Sequence, residues 1–449
     1  MRWRTVLAVT LLFASAAAVA EEAPVVEATP VRVVEVERGG SWVRWGVTER
    51  SRRMAMMRRG TRVAVRGVVR TGESRACRSG EWFALEPRGF VCSGDVVPSA
   101  SPAGGPSVLD VPPGRNLPFR YGVVRADSAP VYDGAEGARS GVARGEFGKG
   151  TKIVLRGRLS VDGVDYFRNR TGDLVPREAV GYMGSGSDWE GVALDAGAAI
   201  PFGWTSVRRA RVYDAPDGRV VERAAVRTRI AVLEEQGGWI RIGDARWVRG
   251  SEAGVVRRIA RPAGTGPGTR WLDVDQGEQT LVLYENDRPV FATLISSGRG
   301  HKTPRGNYPI WGKIAEITMD SQPYDDAAYT VEGVPWVLFF QEHNALHATY
   351  WHDAFGRAAS HGCVNLSPRD ARFVWDWAIP PMPPGFQSFM PEDLETSTFV
   401  HVRDSSRTPE FRQERRIGPP DPRVEARRLR AAEERRAAEA LEEAGLSSQ

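Results

Sequence analysis

The chain has 449 residues, of which 26% are charged and 41% are hydrophobic, and these values are typical of a globular protein rather than a disordered one. The formal net charge of +5 at pH 7 is small for this length, and the basic residues form neither a long block nor a nucleic-acid motif. Composition therefore argues against nucleic-acid binding, and the length allows about three domains.

The N-terminus has the pattern of an export signal. A positively charged start precedes an apolar run at 6–13, and Ala18-Val19-Ala20 has the small residues of a cleavage site. The apolar run is too short to cross a membrane, and no later segment of the sequence reads as a transmembrane segment. We therefore expect 1–20 to be a signal peptide and the mature protein to be secreted into the periplasm or cell wall.

Three cysteines occur, which is an odd number for an exported chain. Cys77 and Cys92 lie fifteen positions apart in one segment, and an oxidising compartment favours a disulfide between them. Closing a loop of this size would contribute about 3 kcal/mol in the chain-entropy view. Cys363 is then left as a thiol, which is a liability outside the cell unless its chemistry is used.

A crude repeat occupies the first 260 residues. The sequence GTRVAVRG at 60–67 is similar to GTKIVLRG at 150–157, and TRIAVL at 228–233 forms a third copy; an aromatic strand follows each. Short strands separated by glycine-rich turns are typical of small β-barrels. The three segments, 28–100, 116–186 and 200–258, resemble bacterial SH3-like modules, which implies either binding of cell-wall peptides or a spacer role.

The pattern of apolar and polar residues changes after a linker rich in proline and glycine at 261–269. The region 269–403 predicts strands, including a hairpin that turns at 285–288, and one helix. We expect Ser367 to cap this helix and Pro380 to stop it. The tail, 404–449, is rich in Ala, Glu and Arg without a continuous apolar stripe, which predicts a charged helix or a disordered segment.

Four of the six histidines lie between 343 and 361, and one of them belongs to the sequence SHGCVN at 360–365. A thiol attacks as the thiolate, so a catalytic cysteine needs a nearby imidazole. Gly362, beside Cys363, lets a substrate approach the backbone closely and lets N–H groups point at an oxyanion. This combination favours a catalytic thiol over a buried structural cysteine.

Two longer motifs resemble a known family. The run LHATYWHDAFG at 346–356, followed by SHGCVNLS at 360–367, is similar to the catalytic signature of the L,D-transpeptidases, and TPRGNY at 303–308 is similar to an upstream segment of that family. The resemblance implies a β-sandwich-like catalytic domain at 269–403 that performs cysteine acyl transfer on peptidoglycan with neither a cofactor nor a metal. The chain as a whole is then predicted to be mainly β, with SH3-like small β-barrels, this catalytic domain and the charged tail.

The resemblance also implies roles for single residues. Cys363 would be the nucleophile, His347 the general base, and the backbone carbonyl of Ala348 would orient the imidazole. Gly362 would supply a backbone N–H to the oxyanion, and His361 would support the nucleophile loop. His352 is a second candidate for the general base, and the family pattern favours His347 over it. The further candidates, for substrate contact, are Tyr350, Trp351, Ser360 and Asn365.

The implied substrate is a peptidoglycan stem tetrapeptide, attacked at its third residue with release of D-Ala. The acceptor stays open between the amine of a second stem peptide, a lipoprotein lysine and a free D-amino acid. Water is the fourth candidate and would make the enzyme an L,D-carboxypeptidase.

Two other functions compete with this interpretation. The first is a zinc peptidase, since His343 and His347 are four positions apart and His352, His361 or Cys363 could complete a ligand set. A strand-like stretch before His343 and the lack of an HExxH pattern argue against it. The second is a wall-binding protein whose function lies in the SH3-like modules, and the presence of Cys363 with His347 argues against an inactive catalytic domain.

Overall fold

A computed structural model describes residues 24–406 except 38, 108, 267 and 322–328. The predicted signal peptide, 1–20, and nearly all of the predicted tail, 404–449, lie outside the described residues. The described part contains 34 strands and two α-helices, so the prediction of a mainly β protein is confirmed. Within this part, no helix is long and apolar enough to span a membrane.

The first two predicted segments contain fifteen strands and one helix. The first contains β1 (Val33–Glu35), β2 (Ser41–Arg44), β3 (Arg53–Met57), β4 (Arg62–Arg70), β5 (Glu81–Leu85), β6 (Phe90–Cys92) and β7 (Val97–Pro98). The second contains β8 (Arg120–Val124), β9 (Ser128–Val131), α1 (Gly134–Ser140), β10 (Gly145–Gly148), β11 (Lys152–Leu155), β12 (Gly157–Val161), β13 (Val164–Arg168), β14 (Leu174–Pro176) and β15 (Val180–Tyr182).

The third segment and the region after the predicted linker follow. A short strand, β16 (Val192–Ala193), precedes β17 (Phe202–Thr205), β18 (Arg209–Tyr213), β19 (Val220–Ala225), β20 (Arg229–Ala231), β21 (Glu234–Gln236), β22 (Trp239–Gly243), β23 (Arg246–Arg249) and β24 (Ala253–Val256). The last region contains β25 (Arg270–Asp275), β26 (Thr280–Glu285), β27 (Arg288–Leu294), β28 (Gly306–Pro309), β29 (Gly312–Asp320), β30 (Thr330–Gln341), β31 (Asn344–Ala348), β32 (Val364–Leu366), α2 (Pro368–Trp377), β33 (Phe386–Phe389) and β34 (Phe399–Arg403).

Two sheets enclose the core of the region 269–403. One has the order β16-β27-β26-β25-β34-β28, and the other is formed by β33, β29, β30, β31 and β32. Leu272 and Leu281 of the first sheet and Val337 and Phe340 of the second belong to one buried cluster, to which α2 adds Val374. Facing sheets with a shared apolar core form the sandwich-like arrangement that was predicted.

The hairpin and the helix cap predicted in this region are both present. The hairpin of β26 and β27 turns at Asn286 and Asp287, as predicted. Helix α2 begins after Ser367, whose hydroxyl accepts a hydrogen bond from the Asp370 amide at 3.1 Å, and it ends before Pro380. Both predictions are confirmed because a turn and an N-cap depend on a few adjacent residues.

The predicted SH3-like barrels are not confirmed. In the described residues no sheet closes into a barrel, and the largest sheet branches at β30. The strands that would close a barrel pair elsewhere: β3 pairs with β33, and β11 lies parallel to β30 with Lys152 opposite Val331. Pairing with the 269–403 region therefore satisfies the sheet edges that a closed barrel would remove.

The third segment covers the outer face of the β25–β27 sheet. Trp271 and Tyr284 stack with their ring centroids 4.0 Å apart and share a buried cluster with Phe202, Trp204 and Val256. Because both faces of this sheet are covered, successive residues of its strands are buried: Trp271–Asp275 in β25 and Thr280–Tyr284 in β26. The N-terminal segments are thus packed against the 269–403 region by both strand pairing and side-chain burial.

Candidate active site

Two neighbouring strands bring the predicted nucleophile and base together. Strands β31 and β32 are parallel, with Leu346 opposite Val364 and His347 opposite Asn365. Cys363 lies directly before β32, and adjacent strands in a sheet are about 4.8 Å apart. The half-buried thiol of Cys363 is outside any disulfide, and its Sγ lies 3.9 Å from the His343 carbonyl oxygen. Cys77 and Cys92 form a disulfide.

The tautomer of the neutral His347 ring follows from one contact. Its Nδ1 lies 3.0 Å from the Ala348 carbonyl oxygen, which can only accept, so Nδ1 carries the proton and Nε2 carries the lone pair. The ring is buried, and burial lowers the pKa of His347 to about 4. His347 is therefore neutral at pH 7 and presents a basic Nε2.

The loop that carries the nucleophile is held by two hydroxyl groups. Ser360 Oγ accepts from the Gly362 N–H at 3.2 Å and donates to the Cys363 carbonyl oxygen. Thr303 Oγ1 donates to the Gly362 carbonyl at 2.7 Å and accepts from the Gly298 N–H at 2.8 Å. The Gly362 N–H thus donates to Ser360 here, and this bond competes with the predicted oxyanion role. Ser360 is a buried support of the loop.

Glycine is required at 362 because the backbone passes close to Asn344. A Cβ at this position would lie 2.4 Å from Asn344 Oδ1, and the Asn344 amide is itself bonded to Gln341 at 2.8 Å. Close backbone approach is the usual structural reason for a glycine.

Both ring nitrogens of His352 have hydrogen-bond partners other than Cys363. Its Nδ1 accepts from the Ala354 N–H at 3.2 Å, and its Nε2 lies 2.9 Å from the Asn365 side-chain amide. Because Nδ1 accepts, the neutral ring carries its proton on Nε2, and the amide of Asn365 is best turned so that its oxygen faces that proton. That oxygen otherwise has no hydrogen-bond partner. Burial lowers the pKa of His352 to about 4, and both ring nitrogens are occupied, so His347 is the better-placed base.

The residues predicted to contact substrate, and the predicted loop support His361, differ in how buried they are. Trp351 is half-buried and stacks on His347 with ring centroids 5.8 Å apart. Tyr350 is buried, and its hydroxyl donates to the Glu332 carbonyl at 2.7 Å, so it is part of the core rather than a surface for substrate. Asn365 is also buried. His361 is exposed and stacks on Tyr329 at 5.1 Å.

The rival zinc site lacks the required geometry. His343 lies in the turn before β31 and His347 lies on that strand, so the two do not share a helix face. Among the described residues, no group of three His, Cys, Asp or Glu side chains is placed to hold a metal ion. The nitrogens of His352 are both used, as described above.

Sequence reasoning missed two supporting residues. Thr303 belongs to the TPRGNY motif, but its role in fixing Gly362 depends on a contact between distant positions. Asp353 lies beside His352, yet its partner is Arg227 in the third N-terminal segment. Neither contact leaves a local signal in the sequence.

Comparison with known proteins shows what the region around this site is similar to. Residues 269–400 match the YkuD family, described as the L,D-transpeptidase catalytic domain. The putative L,D-transpeptidase YkuD of Bacillus licheniformis is 27% identical over 165 residues, which are 35% of this chain and 88% of that protein. These findings support an L,D-transpeptidase catalytic domain at 269–400 and an enzyme of this class.

Solved structures with similarity to the chain include several L,D-transpeptidases. The enzyme from Stackebrandtia nassauensis is 23% identical with a TM-score of 0.22, and the match covers 33% of this chain and 58% of that one. The enzyme from Mycobacterium smegmatis is 17% identical with a TM-score of 0.25, and the match covers 39% of this chain and 82% of that one. The Enterococcus faecium enzyme, solved as a cysteine-to-serine mutant, is 16% identical with a TM-score of 0.24, and the match covers 44% of this chain and 76% of that one.

Proposed function

We propose that the protein is a peptidoglycan L,D-transpeptidase in which Cys363 transfers the acyl group of a tetrapeptide stem from its third residue to an amine acceptor, with release of D-Ala. One observation carries the proposal. His347 is neutral, has its Nδ1 proton fixed by the Ala348 carbonyl, and lies on the strand next to the Cys363 loop. An oriented imidazole beside a thiol is the arrangement that nucleophilic catalysis needs.

The resting pair is neutral in this scheme. Burial lowers the pKa of His347 to about 4, and this disfavours the imidazolium that a thiolate–imidazolium pair would need at rest. Proton transfer therefore accompanies attack on the substrate instead of preceding it. His347 Nε2 takes the proton from Sγ while Sγ forms a bond to the carbonyl carbon of the third residue.

The remaining steps return the enzyme to its starting state. The tetrahedral oxyanion is stabilised by backbone N–H groups of the nucleophile loop, and its collapse breaks the bond to the D-Ala nitrogen, which receives the proton from His347. The thioester on Cys363 then reacts with an acceptor amine that His347 deprotonates. The new amide forms, and the sulfur leaves and regains its proton.

The test is a single incubation of the mature protein with purified muropeptides that carry tetrapeptide stems. We expect free D-Ala, a thioester adduct on Cys363 and a product enlarged by the acceptor, all detected by mass spectrometry. A 3→3 linked dimer would identify a stem-peptide acceptor, an adduct on an added lipoprotein lysine peptide would identify protein anchoring, and a tripeptide would identify water. D-Ala release by a Cys363→Ala protein would refute the proposal.

We also propose that the enzyme acts outside the cytoplasm. Support comes from the signal-like pattern of 1–20 and from the disulfide between Cys77 and Cys92, since disulfides persist in oxidising compartments. Fractionation followed by N-terminal analysis should find a mature chain that begins at Glu21. A cytoplasmic protein that retains Met1 would contradict this.

A further inference from the structure

We propose that Arg227, in the third N-terminal segment, is a positioning residue for the active site, because it fixes the loop that holds Trp351 and His352 beside the candidate base. The loop is defined as residues 349–356. This inference rests on the proposed function for its turnover measurements. It assigns a catalytic consequence to a segment that sequence reasoning regarded only as a wall-binding module or a spacer.

Arg227 contacts the loop through the backbone and the side chain of Asp353, and the arginine is largely buried although the Asp353 side chain is 59% exposed. Nη2 of Arg227 donates to the Asp353 carbonyl at 2.8 Å and also to Asp353 Oδ1. The Arg227 side chain is 14% exposed. Its Cζ lies 5.4 Å from the ring centroid of Trp189 and 5.7 Å from that of Phe355. Nη1 also donates to Ser187 Oγ at 3.5 Å, so three hydrogen bonds and two aromatic neighbours fix the orientation of the guanidinium.

The backbone of Arg227 is held in an unfavourable conformation to make this contact. Its φ is +65°, in the left-handed region, where a residue with a Cβ is destabilised by about 1–2 kcal/mol. The Arg227 N–H donates to the Thr205 carbonyl at 2.7 Å, which anchors the turn between β19 and β20. Backbone strain of this kind is kept where surrounding contacts determine it, often at functional positions.

The opposite side of the same loop faces the active site. His352 meets Asn365, two residues after Cys363, and Ser296 Oγ donates to the Ala354 carbonyl at 2.9 Å. Trp351 stacks on His347. The loop therefore lies between the candidate base and Arg227, and a shift at Asp353 moves groups that touch His347 and Asn365.

Charge adds a second effect at the same place. Two charged residues, Asp353 and Arg299, act on His352, and the imidazole of His347 lies nearby. The hydrogen-bond partners of its ring are the Asn365 side chain and the Ala354 N–H. Asp353 favours the charged form of His352, and Arg227 balances Asp353. We expect that, without Arg227, the Asp353 carboxylate acts on His352 uncompensated and favours the protonated ring, whose charge would oppose proton uptake by His347.

The experiment compares Arg227→Ala, Arg227→Lys, Asp353→Asn and the double variant Arg227→Ala/Asp353→Asn in the full mature chain. Arg223→Ala is the matched control, since Arg223 is an exposed arginine of β19 in the same segment. For D-Ala release we expect Arg227→Ala to lower kcat by about tenfold to a hundredfold, because a misplacement near 1 Å has effects of this size, with little change in KM. Arg227→Lys should recover part of the loss, since lysine keeps the charge but not the forked geometry.

Two outcomes separate positioning from a general loss of stability. The double variant should be no worse than Arg227→Ala alone, because both changes remove one contact. The acid limb of kcat should move to higher pH in Arg227→Ala and stay in place in Arg223→Ala. Additive losses, an unmoved acid limb, or a loss that matches the fraction of unfolded protein would overturn the inference.

A probe that needs no peptidoglycan keeps this test independent of the proposed function. The rate of Cys363 alkylation by iodoacetamide, measured against pH, reports the thiol and its neighbouring imidazole directly. If wild-type protein releases no D-Ala, the proposed function fails, while an altered alkylation profile in Arg227→Ala and Asp353→Asn would still support the positioning role. Identical alkylation profiles in wild type and both variants would reject it.

Discussion

Tyr121 and Tyr350 stack with their ring centroids 3.6 Å apart, although one lies in the second N-terminal segment and the other beside the candidate active site. Each hydroxyl donates to a backbone carbonyl of β30: Tyr121 to Gly333 at 2.8 Å and Tyr350 to Glu332 at 2.7 Å. The side chain of Glu332 in turn accepts from the Val154 N–H at 2.9 Å. The second segment is therefore part of the framework that holds the loop 349–356.

Tyr121→Phe should lower the free energy of unfolding by about 1–3 kcal/mol, because it leaves the buried Gly333 carbonyl without this partner. Chemical denaturation of the full chain measures the change. Tyr182→Phe, in the same segment and 49% exposed, is the control and should change stability by less than about 0.5 kcal/mol. Equal effects of the two substitutions would show that the segment is not fixed through Tyr121.

Thr303→Val tests the support of the nucleophile loop. The substitution keeps the shape of the side chain and removes its bonds to the Gly298 N–H and the Gly362 carbonyl. Since Gly362 precedes Cys363, we expect kcat for D-Ala release to fall by about tenfold or more. Thr265→Val removes a comparable bond, to the Pro262 carbonyl at 2.7 Å in the predicted linker, and should leave kcat unchanged.

Local features of the fold were accessible from the sequence. The Ser367 cap, the β26–β27 hairpin and the SHGCVN loop each depend on a few adjacent residues. The conformational preferences of such residues can be predicted from a short stretch of sequence. The contact between His347 and the Ala348 carbonyl was expected from the family resemblance, whereas the neutral state of the buried ring was not predicted.

Contacts between distant segments were not accessible. Tyr350 was a candidate for substrate contact, but it is buried against Tyr121 and bonded to the Glu332 carbonyl. The repeats of the first 260 residues indicated strands correctly, whereas the closed barrels are not confirmed, because a repeat does not show which strand takes an edge as its partner. The pairing of β3 with β33 joins positions too far apart for pattern reasoning.

The two candidate bases are separated by single substitutions. His347→Ala should reduce the rate of Cys363 acylation by a factor of about 10²–10⁴, the usual contribution of a general base. His352→Ala should leave measurable turnover, because both nitrogens of that ring serve Ala354 and Asn365. Acylation by a carbapenem, followed by mass spectrometry, gives the rate for each variant. Equal losses would remove the distinction between the two histidines.

The acid limb of the pH profile reports the environment of His347. Burial disfavours the charged imidazolium and holds the pKa of His347 near 4, so the base stays neutral and active as pH falls through 6 and 5. An exposed histidine would instead lose its basic form near pH ~6.5. We therefore expect kcat/KM for D-Ala release to hold down to about pH 5 and to decline near pH 4.

The same shift in the pKa of His347 has a consequence for stability. Between about pH 6.5 and 4 the unfolded chain binds a proton at His347 that the folded chain does not, so this residue makes the fold less stable as pH falls. Replacing His347 by Gln should flatten that part of the curve of unfolding free energy against pH. An acid limb in wild-type protein near pH 6.5 would show that the imidazole is hydrated during turnover and would contradict the buried, neutral base.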